Sequence, residues 1–417
     1  MRKITIPILV SLLIANSLTG FLACRKNSSA KTETYTVYKP VLKAKSEVLA
    51  AINGNIAEPV KTAGKLYIKD NFIYLNEVDK GIHIINNNNP SHPVQVAFLD
   101  IPGNIDIAIK GHTLYADMYG DLLAIDITNP KKVVVTDRLS NFFTERMYPN
   151  NSYIDSNMVA ISWIKKDTTV TIDENSGICP NCDFVRANSG IVPAMAKSSG
   201  TAGSMAAMIL INDYLYAITE RHSLGIVNVQ NEASPVFVSS TFAGFDLETI
   251  YPFEDKLFLG SATGMFMFDV SNPETPAQLG QFSHGRACDP VVSDGDYAYV
   301  TLHAGTSCGG DANELNVIDV KDLANPLLVK TYPLTKPTGL CKDGDLLFIC
   351  DDKSGVRVYN AADPANLKLL EQIESTEPYD VIAGNKHALV VAKDGLYQYD
   401  YSDVNNIRQL SFFSLKR

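Results

Sequence analysis

Seven times along this chain an apolar strand ends in Asp or Asn, and no other feature restricts the fold as tightly. The strands read Leu122-Leu123-Ala124-Ile125-Asp126, Met265-Phe266-Met267-Phe268-Asp269 and Leu315-Asn316-Val317-Ile318-Asp319, with counterparts ending at Asn86, Asn228, Asn360 and Asp400. Most run on to Asn-Pro or Asp-Pro, as at Asn272-Pro273. The side chain can hydrogen-bond backbone just ahead, and proline cannot continue a strand, so each marker closes one. Successive markers lie 40, 102, 41, 50, 41 and 40 residues apart.

Ahead of each marker lies a hairpin turn between two apolar runs. The turns fall at Asp70-Asn71, Lys110-Gly111, Asn212-Asp213, Glu254-Asp255, Asp294-Gly295, Asp343-Gly344 and Gly384-Asn385. Asx and Gly tolerate the positive φ that such turns demand. A further apolar run follows each marker, as at 94–101 and 327–332. Each unit is therefore a meander of four short strands, A to D. Many of them lack polar alternation, which fits sheets buried on both faces. Four-stranded units at this period read as propeller blades. The expected fold is all-β: a seven-bladed β-propeller of four-stranded antiparallel blades, with one long β-hairpin/loop insertion.

The strand Leu122–Asp126 and its siblings resemble the LVIVD-repeat family of bacterial β-propellers, over roughly residues 65–415. The stretches 81–130 and 288–326 resemble the lipoprotein branch of that family. The resemblance implies a propeller and an envelope location, and little about activity. Trp163 is the sole tryptophan and no Gly-His to Trp-Asp punctuation occurs, so this is not a WD40 array.

The chain begins with Arg2 and Lys3, an apolar run from Ile4 to Leu18, and then Phe21-Leu22-Ala23-Cys24. That end resembles the lipobox of bacterial lipoproteins, with Phe21 where Leu or Val is usual. It implies cleavage before Cys24 and acylation of Cys24, an anchor to membrane lipid rather than a span. The expected layout is a signal peptide over 1–23, a linker over 24–62 and the propeller over 63–417. Within the linker Val41, Leu42, Val48, Leu49 and Ile52 suit one short amphipathic helix. Expected localisation is the bacterial cell envelope, lipid-anchored, at the outer membrane. Removing 1–23 takes the net charge from −10 to −12, which gives no electrostatic case for binding nucleic acid.

The spacing of 102 exceeds one repeat by about 61 residues, placed at 144–204. This excess holds a strand-like run at 158–172, then Cys179-Pro180-Asn181-Cys182. It reads as a long β-hairpin ending in a loop. A second insertion, about ten residues at 304–313, separates strands B and C of blade five. Six cysteines remain beside Cys24, and an even number in an oxidising compartment favours disulfides. Cys179 and Cys182 suit a small structural bridge. Cys288 precedes strand A of blade five and Cys308 lies in the loop after strand B, so the turn at Asp294-Gly295 folds one toward the other. Cys341 and Cys350 flank their turn unequally, which disfavours pairing them.

Gly305-Thr306-Ser307-Cys308-Gly309 matches a nucleophile elbow, but the elbow needs a strand-to-helix turn in an α/β sheet, so a chance match is the better reading. In a propeller the D–A and B–C loops share one face. Both insertions lie there, with His222, His284, Arg286, Asp289 and His303 as a candidate ligand face. Asp106, Glu248 and Asp380 sit near the starts of channel-lining A strands, at the channel mouth. The bland reading is that these polar residues simply cap strand ends. The expected function is a membrane-anchored binding or scaffolding module for a protein or glycan. The alternative is a metal-dependent hydrolase or other enzyme, with a metal ion in the channel.

Overall fold

The computed structural model describes residues 31–146, 148, 154–172, 204–287, 290–305 and 310–415. Antiparallel sheets of four strands, each in the order A-B-C-D, occupy 63–100, 107–139, 208–242, 247–283, 291–333, 340–373 and 378–414. These are the seven blades of a β-propeller.

The marker residues behave as their chemistry requires. All seven accept a hydrogen bond from the backbone N–H two residues on: Asn86 from Asn88, Asp126 from Thr128, Asn228 from Gln230, Asp269 from Ser271, Asp319 from Lys321, Asn360 from Ala362 and Asp400 from Ser402. Each bond turns the chain from strand C toward strand D. The Ser271 hydroxyl and amide, helped by Lys256, hold Asp269 at about 2. The Ser402 hydroxyl and amide, with Arg408, do the same for Asp400, again at about 2. Asp126 and Asp319 are lowered by equivalent bonds from Thr128 and Lys321.

A carboxyl lowered on folding stabilises the fold fully above its unfolded value, near 3.8, and loses that contribution as pH falls through the folded value. Replacing Asp126, Asp269, Asp319 and Asp400 by Asn, the residue already present at the other three markers, should therefore shift acid unfolding to lower pH. An acid limb between about pH 4 and 2 that the four changes leave in place would contradict this role.

Strand C is buried on both faces, and its alternate residues serve opposite neighbours. Leu122 and Ala124 pack in the joint between blades two and three, whereas Leu123 and Ile125 pack in the joint between one and two. Each of the seven inter-blade joints holds its own apolar cluster. This explains why the marker strands are near-continuous apolar runs. Every strand D, the exposed edge, carries one β-bulge at the same place, skipping Val96, Thr136, Val238, Leu279, Val329, Leu370 and Leu410 in turn. A bulge spoils the straight ladder that a second chain would need to add to the edge.

All four strands of each blade come from one continuous stretch, so no exchanged strand closes the ring. Closure is by side chains. Leu66, Ile73, Leu75 and Ile85 of blade one pack on Leu389, Val391 and Leu396 of blade seven. The amides of Asn87 and Gln398 bond each other reciprocally at 3.0 and 2.8 Å, and the Tyr379 hydroxyl donates to the Ala63 carbonyl at 2.9 Å.

Two expectations change before blade one and in the first insertion. The insertion strand, Met158–Ile172, pairs with the N-terminal strand β1 (Lys31–Ala44) in a two-stranded sheet, not within a hairpin of its own. Both runs are rich in Thr, Val and aromatics, which suit strands, and Thr34 and Thr36 bond Thr169 and Asp167 at 3.0 and 2.7 Å. The helix in the linker is α1 (Lys45–Ala51). It takes Val48 and Leu49, while Val41 and Leu42 fall on β1 and Ile52 follows the helix. Val48 and Ile52 are buried against blades one and two, and Lys45 bonds Asp121 at 2.8 Å. Of the described residues, 40–164 and those from 204 onward form one compact unit, and 31–39 with 165–172 belong to a second.

Candidate functional site

Strand A of each blade lines the axis, and its start lies at the face shared by the D–A and B–C loops. There Lys65 Nζ meets Asp106 Oδ2 at 2.5 Å, with both side chains buried. Burial pulls the Lys65 ammonium down, and the Asp106 charge offsets it. The same Asp106 oxygen accepts from the Ala207 N–H at 2.7 Å. Ser204 Oγ accepts from the Leu340 N–H of blade six at 2.9 Å, and the Ala206 carbonyl accepts from the Ile250 N–H of blade four at 2.6 Å. Residues 204–207 are thus tied to blades two, four and six.

Asp380 faces Lys65 and Ser204, and burial drives its carboxyl well above the usual range. Gly339 leaves it room, since a β-carbon there would collide with Asp380 Oδ1. Lys65, Asp106, Ser204 and Asp380 are each at most 4 % exposed. Among the described residues this end of the channel is therefore packed, not an open polar pocket.

A second buried network stands beside it. Asp117 accepts from the N–H groups of Ile105 and Asp106 at 3.0 and 2.7 Å, and from Asn104 Nδ2 at 3.1 Å. It also pairs with Arg146, whose guanidinium lies 4.5 Å over the Phe143 ring. Asn76 of blade one donates to Asn104 Oδ1 at 2.7 Å, which ties blade one to blade two. Burial pushes the Asp117 carboxyl up, while Arg146 and the two amides pull it back. None of Lys65, Asn76, Asn104, Asp117 or Arg146 stands out in the sequence as a site residue. The available signal is a polar residue at the end of an otherwise buried strand B, as in Leu114–Met118.

The rim of the same face is open at blades three and four. His222 is half-exposed, with Nε2 3.0 Å from Glu220 and Nδ1 3.9 Å from Glu145. Arg221 and Arg286 reach the two oxygens of Asp246 at 2.8 and 3.6 Å. Beside them Phe242 and Phe245 form an edge-on pair, ring centres 5.1 Å apart, and Phe242 lies 6.3 Å from the His222 ring. These phenyls are 54 % and 67 % exposed. Over blade two, Trp163 Nε1 donates to the Tyr119 hydroxyl at 3.3 Å, and Tyr148 stacks obliquely between them.

The structure places the sequence-derived candidates unevenly. His222 and Arg286 meet around the Phe242 and Phe245 patch, to which strand periodicity gave no pointer. His284, on the D–A loop after blade four, has Nδ1 2.5 Å from the Gly285 carbonyl. His303 is buried at the end of strand B of blade five. Glu248 is half-buried on strand A of blade four, whereas Asp106 and Asp380 are inside the packing at the channel end. Cys24, Cys179, Cys182, Cys288, Asp289 and Cys308 lie outside the described residues. Among those described, Cys341 and Cys350 are free thiols, and burial raises both, Cys341 to about 12.

Comparison with known proteins follows the same repeat. The family model described as LVIVD repeat matches residues 62–99 and 284–333. Over these two segments the chain is similar to the LVIVD repeat. They cover blades one and five and support the repeat family for the chain. Both matched segments contain a strand C closed by an Asx turn, at Asn86 and Asp319, and the same turn closes strand C in the other five blades. No curated protein matches the chain. Solved structures share the fold at low identity. The computationally designed Ika8 protein is 9 % identical, with TM-score 0.52, over 86 % of this chain and 89 % of its own. Sqt1 of Saccharomyces cerevisiae is 9 % identical, with TM-score 0.51, over 87 % and 89 %. PorZ of Porphyromonas gingivalis, a surface component of the type-IX secretion system, is 11 % identical, with TM-score 0.51, over 88 % of this chain and 39 % of its own. At such identities the likeness speaks of fold alone.

Proposed function

We propose that the protein is a binding or scaffolding module, anchored in the bacterial envelope through an acylated Cys24, that holds a protein or glycan partner on its D–A/B–C face at blades three to five. The observation that carries this reading is the exposed Phe242 and Phe245 pair, framed by His222, Arg221, Arg286 and Asp246. Aromatic rings flanked by arginine are the composition of interface hot spots, and loops on a rigid ring are where such sites sit. The packed channel end supports a rim ligand over an axial one.

Affinity capture from native envelopes tests it, with mass analysis of the mature N-terminal peptide for the lipid. Phe242→Ala with Phe245→Ala should reduce capture about tenfold or more while leaving the thermal midpoint nearly unchanged, because both rings are exposed. Equal capture by this variant, or loss of capture on changing His92, His112 and His387 at the opposite turns, would place the ligand elsewhere.

The same reading includes a bridge from Cys288 to Cys308 that fixes the blade-five loop. Supporting it, Gly310 lies so close to Arg286 that a β-carbon there would strike the Arg286 carbonyl, so the flanks of the two cysteines touch. Non-reducing peptide mapping should find the cross-linked pair, and Cys288→Ser should lower stability by about 2–4 kcal/mol. Two free thiols in oxidised protein would refute the bridge.

A further inference from the structure

Charge is divided unevenly along the chain. Residues 25–69 carry nine Lys and Arg against three Glu, a net of +6, whereas residues 70–417 carry 25 Lys and Arg against 43 Asp and Glu, a net of −18. Of the nine cations, Lys65 is buried against Asp106, and Lys45 and Lys69 pair with Asp121 and Asp70. The basic segment begins immediately after Cys24 and includes α1, which packs on the outside of blades one and two.

Between α1 and strand D of blade two runs a groove of about 820 Å³. One wall is Leu49, Ile52 and Gly54, and the other is the stretch 131–138. Two nearby cations are already engaged, since Lys45 and Arg138 both reach the buried Asp121, at 2.8 and 2.9 Å. Lys131 and Lys132 at the groove's end are exposed. Among the described residues neither forms an ion pair.

Gly54 presses on the Lys131 backbone, where a β-carbon would meet its carbonyl carbon at 2.8 Å. Asn55 then bridges to Phe98 of blade one, and Ile56, next along, is 89 % exposed. An exposed apolar residue two positions after the Gly54 contact with Lys131, together with exposed lysines that form no ion pair among the described residues, has the chemistry of a membrane-surface contact. The bulged edge strand of blade two argues against an added peptide strand as the occupant.

We infer that the α1 groove, with Lys131, Lys132 and Ile56, docks on an anionic lipid surface, so that the outer side of blades one and two faces the membrane. The inference rests on the envelope reading above, but its test uses neither the acyl chain nor the ligand face.

The mature full-length chain carrying Cys24→Ser is mixed with vesicles of phosphatidylglycerol and phosphatidylethanolamine, or of phosphatidylcholine alone, at about 0.1 M salt, where exposed charges still act over about 10 Å. Partition onto the anionic vesicles should exceed that onto the neutral ones. Lys131→Gln with Lys132→Gln should weaken it about thirtyfold, and Ile56→Gln severalfold. The control pair Lys330→Gln with Lys368→Gln, exposed on blades five and six, should leave it unchanged. No preference for anionic vesicles, an equal loss in the control, or displacement of the protein by inorganic phosphate at equal ionic strength would overturn the inference. Failure here leaves ligand capture at Phe242 and Phe245 untouched, so the two readings fall separately.

Discussion

Replacing Asp117 by alanine is expected to lower the unfolding free energy by about 3–5 kcal/mol, the cost of removing one partner from a buried ion pair. Asp117 is fully buried and Arg146 is nearly so. Without the carboxylate, the guanidinium and the N–H groups of Ile105 and Asp106 lose their acceptor at once. The damage should be specific to unbalanced charge. A double change of Asp117→Leu with Arg146→Met, which removes both charges, should cost less than Asp117→Ala alone. Urea unfolding of the three proteins decides the matter. A single variant within about 1 kcal/mol of the parent would mean that water satisfies these groups and the network is not a structural hub.

The closing joint of the ring should be as costly to damage as any other joint. Leu396→Ala, on strand C between blades seven and one, and Leu347→Ala, on strand B between six and five, each truncate a leucine at most 1 % exposed. Each is expected to cost about 2–5 kcal/mol. The equality follows from how the ring closes. With no strand shared between its ends, the seam relies on apolar packing and on the Asn87 and Gln398 amide pair. If Leu396→Ala were nearly neutral while Leu347→Ala was severe, the ring would be open at the seam in solution.

The sequence made the blades readable because each repeats the same local chemistry. An apolar strand C must satisfy two neighbours, and an Asx residue must turn it, so Leu122–Asp126 announces both its burial and its end. The partner of Met158–Ile172 was not readable. It lies more than a hundred residues upstream, and a two-stranded pairing leaves no period in either strand. The channel end was only partly readable. Asp106 and Asp380 could be placed at the starts of A strands, but not the packing of Ser204–Ala207 over them, which depends on contacts to blades four and six. His222 and Arg286 were visible as polar loop residues. Phe242 and Phe245 were not, because an apolar residue at the end of strand D, or just beyond it on the D–A loop, reads as one more core position until its exposure is known.

The ligand face is the central claim, and hydrogen exchange on the captured complex tests it most directly. Binding on the D–A/B–C face should slow exchange at residues 220–223, 242–247 and 284–287, while the A–B turns near Asp70, Gly111, Asn212 and Asp255 keep their free rates. Protection confined to those turns, with the Phe242 and Phe245 loop unchanged, would contradict it.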